Sequence, residues 1–130
     1  MAALGDTFLM PTPQQTTPHL WVLITAPDIN GESIAVNLTT QQTYSDTTTI
    51  LNVGDHRYVR HATVINYPDT KLLRPAIIDV AIASGMTNII PHDACSAALL
   101  QRIQAGLVAS RHTPQKFKTA FAQAQAQGRT

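Results

Sequence analysis

The feature that most limits what this chain can become is the breaking of its first 70 residues into short β-favouring runs separated by clusters of turn formers. His19-Leu20-Trp21-Val22-Leu23-Ile24-Thr25 is a compact apolar run, and Ala26-Pro27-Asp28-Ile29-Asn30-Gly31 after it collects residues that favour turns. This reads as a buried strand and a turn. In residues 33–39, Ile34, Val36 and Leu38 alternate with smaller or polar residues, as a half-buried strand requires. The two strands form a hairpin with a long loop. Residues 47–51, Tyr58-Val59 and residues 62–67 add shorter strands, with a tight turn at Asn52-Val53-Gly54-Asp55 and a stop at Pro68-Asp69. A series of short strands joined by turns points to a small barrel or sandwich.

Beyond Lys71 the texture changes. Pro75 could open a helix through Ile77, Ile78, Ala81 and Ile82 toward Gly85, although the same run also suits a strand. Asp93 is a candidate N-cap for a helix from 94 to about 107, with Leu99, Leu100, Ile103 and Leu107 on one face. Thr113-Pro114 reads as an N-cap with proline at the first helical position, followed by a stripe of Phe117, Ala120, Phe121 and Ala124 and a stop at Gly128. The expected class is therefore α+β, mostly β, in one domain of 130 residues: a β part over 1–74 and a mainly helical extension over 75–130.

Composition excludes several function classes. A single cysteine, Cys95, rules out an intramolecular disulfide and a zinc site built on paired cysteines, so packing must hold the fold. No stretch nears 18 consecutive apolar residues, and the start MAALGDTFLMPT lacks the basic opening and long apolar run of a secretory signal. The expectation is a cytoplasmic protein without a membrane partner. The net charge of +1 hides a sorting by segment: residues 1–53 hold Asp6, Asp28, Glu32 and Asp46 and no Lys or Arg, while residues 94–130 hold Arg102, Arg111, Lys116, Lys118 and Arg129 and no acid. The two ends could attract each other within the fold or across a homodimer, or the basic end could face nucleic acid or an acidic protein partner.

The densest cluster of reactive side chains is Gly54-Asp55-His56-Arg57-Tyr58-Val59-Arg60-His61. Imidazole titrates near neutral pH, so His56 or His61 could exchange protons with a substrate; Arg57 or Arg60 could clamp a phosphate, and Asp55 could orient a histidine. The bland alternative is a solvated polar turn. The five-residue spacing of His56 and His61 matches no metal-binding pattern, and no third ligand stands near, so no metal and no other cofactor is expected. Thr39-Thr40 ends a strand where hydroxyls could meet a phosphate, and His19 opens another strand. Cys95 could be an activated thiol or a small packing residue. Trp21 and Tyr58 could stack bases, but aromatics are only 5% of residues and do not interleave with basic ones, which argues against a stacking platform. No phosphate loop, nucleophile elbow or dinucleotide fingerprint occurs.

The order of Gly5-Asp6-Thr7-Phe8-Leu9, Leu20-Trp21-Val22-Leu23-Ile24, Val36-Asn37-Leu38-Thr39-Thr40 and Thr63-Val64-Ile65-Asn66-Tyr67 followed by Lys71-Leu72-Leu73 resembles the PemK/MazF-like plasmid-maintenance toxin family, over roughly the first 75 residues. The resemblance implies a small SH3-like barrel followed by C-terminal helices and a sequence-selective endoribonuclease acting on single-stranded RNA. On it, Thr39 or Thr40 matches the family's active-site threonine. Where the family usually carries Arg-Pro entering the second strand, with the arginine in the site, Pro18-His19 stands here. Metal-independent cleavage needs a base, a cation for the phosphorane and an acid, which His56, Arg57 and His61 are of the type to supply. The candidate catalytic set is therefore His19, Thr39, Thr40, Asp55, His56, Arg57 and His61, with Arg57, Arg60, Lys71 and Arg74 to bind nucleic acid. The alternatives are a non-catalytic protein-interaction module on the same scaffold and an enzyme of another class built on the histidine cluster.

Overall fold

The computed structural model describes residues 2–12, 15–85 and 88–130, with the side chains of Gln15 and Thr16 outside the description. The chain runs β1 (Thr7–Thr12), β2 (Gln15–Leu23), β3 (Ser33–Thr40), β4 (Ile50–Leu51), β5 (Thr63–Ile65), a 3-10 turn (Tyr67–Asp69), β6 (Lys71–Leu73), α1 (Pro75–Ala83), β7 (Ile90–His92), α2 (Ala97–Ala109) and α3 (Gln115–Ala126). This is an α+β, strand-rich fold. All pairings are antiparallel, and the sheet path β4-β5-β3-β2-β1-β7 is open, with β6 pairing β3 beside β5.

The continuous apolar run of β2 has a simple cause: the strand is covered on both faces. Leu20, Val22 and Ile24 join one core cluster with Val36, Leu38, Leu99, Ile103, Leu107, Phe117 and Phe121. Trp21 and Leu23 point the other way, into a second cluster with Phe8, Ala35 and Ile78. Thus α2 and α3 pack on one face of the sheet and α1 on the other. The same layering corrects the half-buried reading of β3, since residues 33–38 are all buried. Asn37 meets this burial in part: Nδ2 donates to Asp69 Oδ2 at 2.7 Å, while Oδ1 has no partner among the described residues.

Pro75 opens α1 at its first turn and Gly85, at φ +77°, follows its end, which settles that run as helix. The stripes on α2 and α3 lie as expected, but both start later. Asp93 does not cap α2; its carbonyl accepts from the Thr7 hydroxyl at 2.7 Å and from His56 Nε2 at 2.6 Å. Ser96 caps instead, accepting from the Leu99 N–H at 3.1 Å. Pro114 occupies the cap of α3 rather than its first turn, leaving the buried Thr113 hydroxyl without a partner among the described residues. Tyr58-Val59 is turn, not strand. No helix among the described residues is long and apolar enough to cross a membrane.

The acidic front and basic tail meet through hydrogen bonds. Ser110 donates to Asp46 at 2.5 Å, while Ala26 and Arg129 exchange two bonds, Ala26 N to Arg129 O and Arg129 Nη1 to Ala26 O, both 2.8 Å. Burial alone would push the Asp46 carboxyl up, but hydrogen bonds from Ser110 and Thr48 outweigh it and hold the group below the usual carboxylate range.

Candidate functional site

The C-terminal end of β3 is where the candidate residues gather. β2 flanks one edge, with Leu20 opposite Leu38, so His19 lies beside that end and its Nδ1–H donates to the Leu38 carbonyl at 3.2 Å. β5 flanks the other edge, with Thr63 opposite Thr40, and His61 precedes it by two residues. The His61 Nδ1–H donates to the Ala62 carbonyl at 3.3 Å. A carbonyl only accepts, so each ring carries its proton on Nδ1 when neutral and leaves Nε2 as an acceptor with no hydrogen-bond partner among the described residues. The β2 and β5 backbones stand about 10 Å apart, two strand spacings, with Thr39 and Thr40 between them.

These residues line one concave pocket of about 880 Å³, together with Arg57, Tyr58, Arg60, Thr63, Pro91, His92 and Asp93. Of the predicted set it unites His19, Thr39, Thr40, Arg57, Arg60 and His61. Two guanidiniums and one carboxylate are among the lining groups. Arg57 Nη1 lies 3.3 Å from Asp93 Oδ2, with the side chains 87% and 55% exposed, so the pair is solvent-screened and an anion can compete for the guanidinium. Arg60 has no ion-pair partner among the described residues. The pocket thus favours anions, and no three His, Cys, Asp or Glu side chains among the described residues are grouped to hold a metal ion.

Four predicted residues stand elsewhere. His56 is 8% exposed and does not line the pocket. Its Nδ1 accepts from the Tyr58 N–H at 3.0 Å while Nε2–H donates to the Asp93 carbonyl at 2.6 Å, so both ring nitrogens are engaged. It fastens the Arg57-Tyr58 turn to the His92-Asp93 segment instead of meeting a substrate. Asp55 orients no histidine: it accepts from the Asn52 N–H at 2.8 Å and pairs with Arg102 Nη1 at 3.2 Å. Those hydrogen bonds, the backbone one foremost, hold its carboxyl below the usual range. Lys71 sits opposite Ala35 on β3, about 13 Å along the strand from Thr39 by the rise per residue, and pairs with Asp69 at 3.1 Å. Arg74 lies further on, at the cap of α1.

Sequence reasoning missed His92, Asp93 and the lining role of Thr63. His92 reaches the pocket only because the edge strand β7 pairs with β1, Thr7 opposite His92, and no local pattern marks so short a strand. Tyr58 and His92 meet edge to face, ring centroids 5.6 Å apart. Trp21 is fully buried and cannot stack a ligand. Cys95 is a packing residue: burial pushes its thiol up to about 11. The sequence matches no family model and no curated protein.

Proposed function

We propose that this pocket binds single-stranded RNA and cleaves it without a metal, as a toxin-like endoribonuclease. The observation that carries the reading is the convergence of His19, His61 and His92 with Arg57 and Arg60 on one concave surface. A phosphodiester seated at the end of β3 meets the guanidiniums through its non-bridging oxygens, and the Thr39 and Thr40 hydroxyls can donate to it. Nε2 of one flanking imidazole takes the proton of the 2′-hydroxyl as that oxygen bonds to phosphorus. The opposite imidazole, protonated, gives its proton to the departing 5′-oxygen. The products are a 2′,3′-cyclic phosphate and a 5′-hydroxyl end, and the arginines stabilise the charge that builds on the phosphorane.

The resemblance to the PemK/MazF-like family supports the same reading, because the expected threonines and the residue at the arginine's position, His19, share the pocket. The SH3-like barrel belongs to it as well, supported by β3 serving as a shared central strand that pairs with β2 along one edge and with β5 and β6 in succession along the other. The test is a titration with a ribonucleoside 3′-phosphate followed by the five imidazole signals in NMR, assigned by single His→Gln variants. The reading expects His19, His61 and His92 to move and His112 to stay. Uniform silence of the three, or equal movement of His112, contradicts it.

A further inference from the structure

We infer that Tyr58 and His92 form a stacking platform for one unpaired nucleobase next to the bound phosphate, which makes the site selective for single strands; this rests on the RNA reading above. The two rings stand 5.6 Å apart at 71° on the pocket wall. In such a T-shaped pair the ring that offers its edge keeps its own faces uncovered by its partner, so a planar base has a π-surface to lie on.

The backbone that carries both rings is held before any ligand arrives. Tyr58 is half-buried and packs against the main core cluster, with its N–H fixed by His56 Nδ1. His92 is exposed on β7, which is paired to β1. The same His56 ring donates to the carbonyl of Asp93, the residue after His92, so one buried imidazole ties together both segments that carry the platform. Little backbone freedom is then lost on stacking. Arg57 and Arg60 flank Tyr58 in the chain and line the same pocket, so a phosphate held by them brings its neighbouring base to the ring. A base inside a duplex is already stacked on its neighbours; an unpaired base is free to use the platform.

The experiment titrates the full chain, in EDTA, with a labelled 2′-O-methyl oligonucleotide that cannot be cut by 2′-hydroxyl attack, with the same strand made abasic, and with its duplex. Anisotropy reads binding at several salt concentrations. One stacked base corresponds to about 5- to 150-fold in affinity. The intact strand is expected to bind at least about 5-fold more tightly than the abasic strand and the duplex. Tyr58→Ala should lose that margin, Tyr58→Phe should keep it, and the salt dependence of all three proteins should coincide, because the phosphate contacts remain. Equal binding of intact and abasic strands by the unaltered chain overturns the platform while leaving phosphate recognition standing, as does an unchanged margin in Tyr58→Ala. No binding of any strand at low salt overturns the RNA reading and the platform with it.

Discussion

Gly106, near the C-terminal end of α2, offers the sharpest test of how the sheet and helices are joined. A Cβ added there would stand 2.0 Å from the Tyr67 hydroxyl, 2.1 Å from Thr49 Oγ1 and 2.8 Å from Tyr67 Cζ, where ordinary carbon contacts lie near 3.5–4.0 Å. Tyr67 is fully buried, donates to the Ile103 carbonyl at 2.8 Å and lies 2.7 Å from the Thr49 hydroxyl, which donates to it in turn. Relieving the clash means moving a ring with no room and breaking two buried hydrogen bonds. Overpacking costs about 1–3 kcal/mol and the two bonds about 1 kcal/mol each. Alanine returns about 1 kcal/mol of helix propensity. The expected net loss for Gly106→Ala is therefore about 2–4 kcal/mol, on the order of 10 °C in Tm for a chain of this length. Urea unfolding followed by the fluorescence of the single, buried Trp21 measures it. In a Thr49→Ala, Tyr67→Phe background the same substitution should cost at least about 1 kcal/mol less. A neutral or stabilising Gly106→Ala, as propensity alone predicts, would refute the reasoning.

Three further outcomes follow from the geometry. Cys95, with its thiol pushed up to about 11 by burial, should react with iodoacetamide at neutral pH far more slowly in the native chain than in urea; equal rates would show an accessible thiolate. Asp46 has its carboxyl held low in the fold, so its contribution is present above the ordinary carboxylate pKa of about 4 and is lost as pH falls through the lower folded value. Asp46→Asn should accordingly weaken the chain at pH 7 and flatten that part of the acid limb of a stability–pH curve, and a parallel curve would contradict it. Arg57→Ala and Arg60→Ala should each lower the salt slope of RNA binding by about 0.7, the value for one phosphate on a single strand; an unchanged slope in both would remove them from the phosphate contact.

What was legible in the sequence divides along physical lines. The apolar run of β2 and the stripes of α2 and α3 were readable because burial imposes composition and period directly on the chain. Tyr58-Val59 misled because an apolar residue beside an aromatic one looks like strand, whereas the buried His56 ring takes the Tyr58 N–H and bends the segment into a turn. In the candidate site, His19, Thr39 and Thr40 were visible as residue types at strand ends and the Arg57–His61 stretch as a dense run of functional side chains after a turn. His92 was not, since its position depends on an edge strand of three residues paired at long range. His56 and Asp55 were misjudged for one reason: a reactive side chain and one satisfied by its own turn look alike until its hydrogen bonds are seen.

The most direct test of the central claim is incubation of the purified chain, in EDTA, with a mixed single-stranded RNA, analysing the ends of any fragments. The account predicts cleavage that leaves 2′,3′-cyclic phosphates and 5′-hydroxyls, reduced at least about 100-fold in His19→Ala and in His61→Ala, while Lys71→Ala cleaves as the unaltered chain does. Intact RNA that the protein also fails to bind, or cleavage undiminished in both histidine variants, would contradict it.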